Sequence, residues 1–241
     1  MTGRRGGPQV IPRPDASRPG GPAPWAHLDA SDLRPSLDDV RRTIASAPAP
    51  SPTTRFADDG RASAVLAALH GGPTGEDEAH VVLTRRAGHL RHHAGEVSFP
   101  GGRQEAGEDL WRTALREASE EVALDPATVT RLGELDHLRT VTSESFIVPF
   151  VAELPRWPDL RPHPGEVDAV LHVSLADLLH PDAYREERWT MVGQERSLYF
   201  FEIVGDTIWG ATAAMLRNLL AIVTGTFDAA DRQPPWEFRR A

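Results

Sequence analysis

Between Leu110 and Val122 apolar residues fall at every fourth position, Leu110, Ala114, Ala118 and Val122, with Trp111 and Leu115 beside them. That spacing predicts an amphipathic helix. The helix also carries Glu117, Glu120 and Glu121 at i, i+3 and i+4, positions that share one side. Elsewhere the pattern changes. Ala62–His70 and His80–Thr84 are short apolar runs that predict buried strands, split by the polar loop Gly71–Ala79. Leu132–Val141, Phe146–Glu153 and Glu166–Val173, rich in β-branched and apolar residues, predict further strands. Leu198–Val204 and Asp206–Trp209 predict a hairpin joined through Gly205. Ser36–Ala47 predicts a short helix with Ser36 as N-cap and Asp38 and Asp39 in its first turn. Leu175–Leu178 opens another short helix, and Ala211–Thr224 predicts a closing one. Mixed strands with two main helices predict an α/β (α+β) fold, an α/β/α sandwich around a mixed sheet.

The pattern fades toward both ends. Residues 1–34 are a Pro-, Gly- and Arg-rich tail with little to bury, and are expected to be disordered. Residues 35–60 hold the short helix and a linker that includes the Pro/Ser run Pro48–Thr53. Residues 61–225 are expected to form one domain, with a second tail over 226–241. A chain of 241 residues is long enough for that arrangement. Cysteine is absent, which excludes disulfides, thiolate catalysis and Cys-based zinc sites. All 26 basic residues are arginine. Schiff-base chemistry and a P-loop lysine are thereby excluded, leaving arginine, histidine and metal to neutralise phosphate charge. A formal charge of −9 argues against a general nucleic-acid binder. No apolar run approaches membrane-spanning length, and no apolar signal region follows Met1. The expected location is the cytoplasm, with no nucleic-acid or membrane partner; a homodimer stays open beside a monomer.

Three carboxylates on one helix face repel, at about 0.2–0.5 kcal/mol per i,i+4 pair. A divalent cation would remove that cost, because hard cations such as Mg²⁺ prefer carboxylate oxygens and keep waters for chemistry. The plainer reading of an isolated ExxEE is a solvated face. Gly101-Gly102 and the turn at Gly107, just ahead of the helix, shift the balance toward a site. Arg116 stands eight residues after Glu108, where a fold-back salt bridge could orient the acidic face.

The stretch Gly102–Leu124, GRQEAGEDLWRTALREASEEVAL, resembles the Nudix box, G-x5-E-x7-R-E-U-x-E-E-x-G-U, through Gly102, Glu108, Arg116, Glu117, Glu120, Glu121 and Leu124. Ala118 replaces a larger aliphatic residue and Ala123 the usual glycine. Neither is a family metal ligand, but alanine is strained at 123 if the turn there needs positive φ. Immediately upstream, LTRRAGHLRHHAGEVSFPGG (Leu83–Gly102) resembles the signature of the coenzyme A pyrophosphatase branch. It fits at Leu83, Thr84, Arg85, Arg86, Ala87, Arg91, Gly95, Phe99, Pro100, Gly101 and Gly102, with Glu96 in place of a common glutamine. IWGATAAMLRNLL (Ile208–Leu220) is similar to that branch's last helix, so the likeness covers roughly Ala62 to Thr224.

The resemblance implies a Nudix fold and a pyrophosphohydrolase. Glu117, Glu120 and Glu121 would hold Mg²⁺ or Mn²⁺, unless one of them serves as general base. Arg116 and Glu108 complete the box. Glu166, in His163-Pro-Gly-Glu-Val, is a further catalytic candidate; its plainer reading is a solvated residue at a strand start. Glu105 is a weaker outsider of the same kind. Arg85, Arg86 and Arg91, with Gly101 and Gly102, are the candidate substrate-binding residues, since bidentate arginines suit the phosphates of coenzyme A. The bland alternative pairs these arginines with surface carboxylates. His89, His92 and His93 read as loop residues without zinc-site spacing. The implied reaction cleaves coenzyme A or a derivative to 3′,5′-ADP and 4′-phosphopantetheine. Other nucleoside diphosphate derivatives (ADP-ribose, a dinucleotide, a nucleoside triphosphate) remain alternative substrates, and a non-catalytic nucleotide sensor remains an alternative class. Thr140–Phe146, with Ser145 where relatives often carry glycine, bears on acyl-CoA preference.

Overall fold

A computed structural model of the chain describes residues 3–51, 62–74, 77–139, 146–191 and 193–232. Among them the elements run β1 (Arg18–Pro19), α1 (Leu37–Ser46), β2 (Ala62–His70), β3 (His80–Arg86), β4 (Val97–Ser98), β5 (Gly101–Arg103) and α2 (Leu110–Val122). Then follow β6 (Thr130–Glu134), β7 (Leu138–Arg139), β8 (Phe146–Glu153), β9 (Val167–Ser174), α3 (Leu175–Leu178), β10 (Tyr184–Met191), β11 (Gln194–Ile203), β12 (Asp206–Trp209) and α4 (Gly210–Val223).

The mixed sheet is built on β2, which pairs in parallel with β8 from Ala62↔Phe146 to Leu69↔Glu153. The other edge of β2 is shared between two partners. Its C-terminal end takes β3 antiparallel, at Leu69↔Val81 and His70↔His80, and its N-terminal half takes β5, from Ser63↔Arg103 to Val65↔Gly101. At the fork the Leu66 N–H donates to Pro100 O at 2.9 Å. From there β3 diverges, pairing with β9 along its length and with β4 near its end. The fork inserts Gly101-Gly102 into the sheet, in contact with α2. A second sheet, wholly antiparallel, has the order β1-β10-β11-β12.

Alternation along β2 divides the core. Leu66 and Ala68 face α2, packing with Ala114, Ala118, Val122, Val148 and Phe150. Ala67 and Leu69 point the other way, into the cluster of α1, α4 and the second sheet that includes Val40, Leu216, Leu220 and Phe201. This period-2 division makes the sheet the middle layer of the expected α/β/α sandwich. A fully buried residue such as Val122 contributes about 1.5–3 kcal/mol toward holding α2 in place.

Several expectations match closely. Ser36 caps α1 in a capping box, accepting from Asp39 N at 3.1 Å while its own N–H donates to Asp39 Oδ2 at 2.9 Å. Gly205, at φ 84°, turns the β11–β12 hairpin. The expected strand Leu132–Val141 is divided into β6 and β7 around the buried Leu135, its last two residues lying outside the described ones. Strand β10 was not expected. Its sequence, YREERWTM, lacks a β-branched run, and the β11 ladder holds it instead, with Arg185 Nε 3.1 Å from Glu202 Oε1.

The N-terminal tail needs correction. Residues 3–34 are not loose: β1 pairs with β10, and Trp25 is 2% exposed, stacked 6.3 Å from Phe201 and edge-on 5.5 Å from Tyr184. One aromatic anchor and backbone bonds to a sheet edge organise a segment whose composition reads as disordered. In the C-terminal tail, Phe227 packs on the core and Arg232 Nη2 lies 2.8 Å from Asp136 Oδ1; residues 233–241 are outside the described ones. At the end of β2 remote from Gly101, His70 and His172 share a 2.9 Å hydrogen bond with Trp157 stacked on His172. Burial pushes His70 down to about 4 and lowers His172 as well.

Ala123 caps α2 at φ 57°, ψ 30°, the left-handed conformation that glycine adopts without strain. Relief of that strain, about 1–2 kcal/mol, outweighs the backbone entropy that glycine adds. Ala123→Gly is therefore expected to stabilise the fold by about 0.5–1 kcal/mol and raise the melting temperature by about 2–4 °C. Calorimetry checks it, and an unchanged or lowered midpoint would contradict the strain.

Candidate active site

The start of α2 is fixed from both sides. Asp109 accepts from Arg112 N at 3.0 Å, and Thr113 Oγ1 donates to Glu108 Oε2 at 2.8 Å. The expected fold-back ion pair is present: Arg116 Nε lies 3.1 Å from Glu108 Oε1, and its Nη2 donates to Glu108 Oε2 at 3.2 Å and to Arg103 O at 3.0 Å. Arg116 chiefly, with Thr113, holds the Glu108 carboxyl down at about 2. The remaining Arg116 nitrogen, Nη1, reaches Glu117 Oε1 at 3.0 Å and Glu120 Oε2 at 3.1 Å. One guanidinium thus ties the glycine-turn loop to the helix and orients two of its three glutamates.

Glu121 is the third and is set differently. It is 3% exposed, with Gly101 N donating to Oε2 at 3.1 Å and Arg86 Nη1 3.8 Å from Oε1. Burial pushes it up to about 7, opposed by the Gly101 N–H and Arg86 and reinforced by Glu117 and Glu166. Burial also raises Glu117, against the pull of Arg116. Glu120 is exposed. The two glycines explain the arrangement. A Cβ on Gly102 would overlap the Glu117 carboxylate, and one on Gly101 would stand 2.6 Å from Val65 Cα.

Glu166 joins the group from another part of the chain. His163 N donates to Glu121 O at 2.8 Å, Arg161 N to Val122 O at 2.9 Å, and Glu166 N to His163 O at 3.0 Å, so the 161–166 segment is moored on the end of α2. The Glu166 charge raises both Glu117 and Glu121. Glu105 does not join. It is exposed on the loop, donating its N–H to Glu108 Oε2 at 3.3 Å.

Among the described residues no three His, Asp or Glu side chains already converge as a ligand set. The chemistry of the group nonetheless suits a hard divalent cation. The donors are all carboxylate oxygens, two of them are desolvated, and the Gly102 cradle gives Glu117 room that a Cβ would fill.

The arginines separate. Arg85, expected to bind substrate, is instead committed to Asp206, a residue 1% exposed. Its Nε donates to Oδ1 at 2.7 Å and its Nη2 to Oδ2 at 2.5 Å. Buried carboxylates demand such a partner, and this one sits 121 residues away, behind a glycine turn where an aspartate reads as a turn residue. Arg86 faces the glutamates, and its buried Nε has no hydrogen-bond partner among the described residues. Arg91, His89 and His92 are exposed on the loop after β3, and His93, at φ 58°, pairs with Glu96 at 2.9 Å. The loop is moored beside Glu166 by Ala87 N to Glu166 O at 2.8 Å and Gly88 N to Asp168 Oδ2 at 3.0 Å. Gly101 and Gly102, expected at the substrate, here serve Glu121 and Glu117. The residues 140–145 of the Thr140–Phe146 segment lie outside the described ones.

Comparison with known proteins adds to the geometry. Residues 61–192 match the NUDIX domain family. An uncharacterised Nudix hydrolase, NudL, from Photorhabdus laumondii is 34% identical over 171 residues, covering 70% of this chain and 89% of its own length. Nudix hydrolase 22, chloroplastic, from Arabidopsis thaliana is 35% identical over 175 residues, covering 67% and 55%. Among solved structures, the Nudix hydrolase RenU from M. smegmatis aligns with a TM-score of 0.45 at 19% identity, over 76% of this chain and 98% of its own. Among the described residues no helix is long and apolar enough to cross a membrane.

Two outcomes follow from this geometry. An unfolded glutamate releases its proton near 4.5 and Glu121 near 7. Across that window the folded chain holds the extra proton, so the Glu121 contribution to metal-free stability falls as pH rises and levels off above 7. Glu121→Gln is expected to raise the metal-free melting temperature at pH 8 relative to wild type, by a margin that narrows as pH falls from 7 toward 4.5; a variant no more stable than wild type at pH 8 would refute the buried charge. Arg85→Ala leaves the buried Asp206 charge with the neutral Gln9 amide but no cation, and should cost about 3 kcal/mol by urea unfolding. A variant of undiminished stability whose defect is confined to KM would return Arg85 to the substrate.

Proposed function

The chain belongs to the Nudix family and is a pyrophosphohydrolase, and from that premise we propose that it cleaves coenzyme A or a derivative of it. Attack by water at the pyrophosphate would give 3′,5′-ADP and 4′-phosphopantetheine, or its acylated form. The observation that carries this reading is the placement of the LTRRA…FPGG segment. Its two ends, β3 and β5, flank the fork of the sheet, so that Arg86 abuts Glu121 and the Arg91 loop stands beside Glu166. An arginine with an unpartnered buried nitrogen next to the carboxylates suits one phosphate of the pyrophosphate, and an exposed arginine on the adjoining loop suits a further phosphate.

The residue roles follow from the same contacts. Glu117, Glu120 and Glu121 would hold Mg²⁺ or Mn²⁺, which lowers the pKa of water and offsets phosphate charge. Arg116, locked by Glu108, keeps Glu117 and Glu120 on one side of the helix in readiness. Glu121 is held by Gly101 N–H. Glu166, exposed to solvent yet within electrostatic reach of Glu117 and Glu121, is positioned to accept the proton of the attacking water. The reading places the enzyme in the cytoplasm, acting on a small molecule.

Mass-spectrometric identification of products tests it. With Mg²⁺ or Mn²⁺ the protein is expected to release 3′,5′-ADP from coenzyme A in preference to hydrolysing ADP-ribose, NADH or a nucleoside triphosphate. Arg86→Ala should weaken kcat/KM for coenzyme A by about 10- to 100-fold, as loss of a charge-assisted contact does. Efficient hydrolysis of another substrate with no 3′,5′-ADP from coenzyme A would overturn the assignment while leaving the pyrophosphohydrolase intact.

A further inference from the structure

The N-terminal strap reaches the substrate-side loop through one residue. Its backbone lies on the second sheet: Gly6 N donates to Ile203 O at 2.8 Å, Gly7 N to Thr207 Oγ1 at 3.1 Å and Gly20 N to Glu186 O at 2.8 Å. Ion pairs fix it on either side of Gln9, Arg5 Nη2 to Asp177 Oδ1 at 2.6 Å and Arg13 Nε to Glu187 Oε2 at 2.8 Å. The approach is close enough that a Cβ on Gly7 would stand 2.7 Å from Gly205 O.

Gln9 uses its whole amide. Oε1 accepts from Thr207 N at 2.8 Å, while Nε2 donates to Asp206 Oδ1 at 2.7 Å and to Gly95 O at 3.1 Å. Asp206 is the carboxylate that holds Arg85, the residue before Arg86. Gly95 closes the Ala87–Gly95 loop: its N–H donates to Arg86 O at 3.1 Å, and Arg86 N donates to Glu96 O at 2.9 Å. The loop entry is moored to the Glu166 segment through Ala87 and Gly88. At its exit the side-chain contact comes from Gln9, 86 residues earlier in the chain.

We propose that Gln9 is a positioning residue for the substrate site: by pinning Gly95 and Asp206 together it fixes the exit of the Arg91 loop and the strand end that carries Arg86. The docked strap then sets affinity for a phosphate-bearing substrate without touching it. The proposal rests on the reading of Arg86 and Arg91 as phosphate ligands.

The full-length chain tests it with three variants, Gln9→Ala, Gln9→Glu and, as a strap control outside the loop contact, Arg13→Ala. Kinetics are run with Mg²⁺ on whichever pyrophosphate compound the wild type turns over, and hydrogen exchange by mass spectrometry is followed over residues 87–96 without substrate. Gln9→Ala is expected to raise KM by about three- to tenfold with kcat within about twofold, as loss of one or two ordinary hydrogen bonds does. It should also speed exchange over 87–96. Gln9→Glu keeps an acceptor for Thr207 but loses both donors and meets Asp206 with a like charge, so its KM should rise at least as far. Arg13→Ala should leave KM and the loop's exchange unchanged. Exchange over 87–96 that is the same in wild type and Gln9→Ala, or a KM change no larger than that of Arg13→Ala, would overturn the proposal. If the wild type hydrolyses no pyrophosphate compound, the enzymatic reading fails separately and the exchange result still decides whether Gln9 orders the loop.

Discussion

The structure depends on keeping the Glu121 carboxylate out of water beside other carboxylates. An ionised carboxylate in such a place is costly unless hydrogen-bonded and paired, and the fold meets that demand only in part. One backbone N–H, from Gly101, and one guanidinium at 3.8 Å, from Arg86, face it. Both arrive through the fork in the sheet, where β2 gives up β3 and takes β5. The fork in turn requires Gly101, since a side chain there would strike the β2 backbone. The unmet remainder is what makes the position useful. A carboxylate whose charge is met only in part, as at Glu121, keeps a residual negative potential that would attract a cation, and binding would stabilise the fold.

Arg116 shows how the same helix is kept from flying apart in the meantime. Its contacts to Glu108, Glu117, Glu120 and Arg103 O span the box. It is partly exposed, so each pair is worth little by itself, but together they fix a geometry. Glu108 is drawn far below the ordinary carboxylate range, chiefly by its hydrogen bonds with Arg116, as suits an anchor for that guanidinium. Burial instead raises the proton affinity of Glu117 and Glu121, two of the three candidate metal ligands. Environment therefore separates Glu108, tied to Arg116, from Glu117 and Glu121, which burial makes hold their protons more tightly.

What was legible in the sequence is what local spacing encodes. The apolar stripe of α2, the Ser36 cap, the Gly205 hairpin and the Glu108–Arg116 pair all involve residues within about eight positions of one another, where periodicity and turn chemistry leave a direct trace. The Ala123 substitution was legible for the same reason. Long-range partnerships were not. Asp206 as the mate of Arg85, Asp168 as the mooring of Gly88 and the docking of Trp25 join residues far apart in sequence, and no period records them. The tail failed through composition: proline and glycine remove regular structure but do not prevent a strap from bonding to a sheet edge. Strand β10 failed because its charged residues are held by ion pairs along the strand and to Arg13 and Glu202, which a hydropathy pattern cannot register.

The second sheet acquires a meaning from these partnerships. A box helix on a mixed sheet would suffice to present the glutamates, and the α4 and β11 core would suffice for burial. Asp206 does neither. It is a buried carboxylate at the first position of β12 whose side-chain partners, Arg85 and Gln9, come from the motif strand and the strap. A buried ion pair is a poor way to gain stability, because desolvation offsets most of the attraction. Its strength is geometric: bidentate contacts fix the direction of Arg85, and alternation along β3 then sends Arg86 to the opposite face, toward Glu121. The second sheet is thus the reference against which one end of the motif strand is aligned, and Arg85, one of three arginines the sequence offers as phosphate ligands, is the one that aims its neighbour.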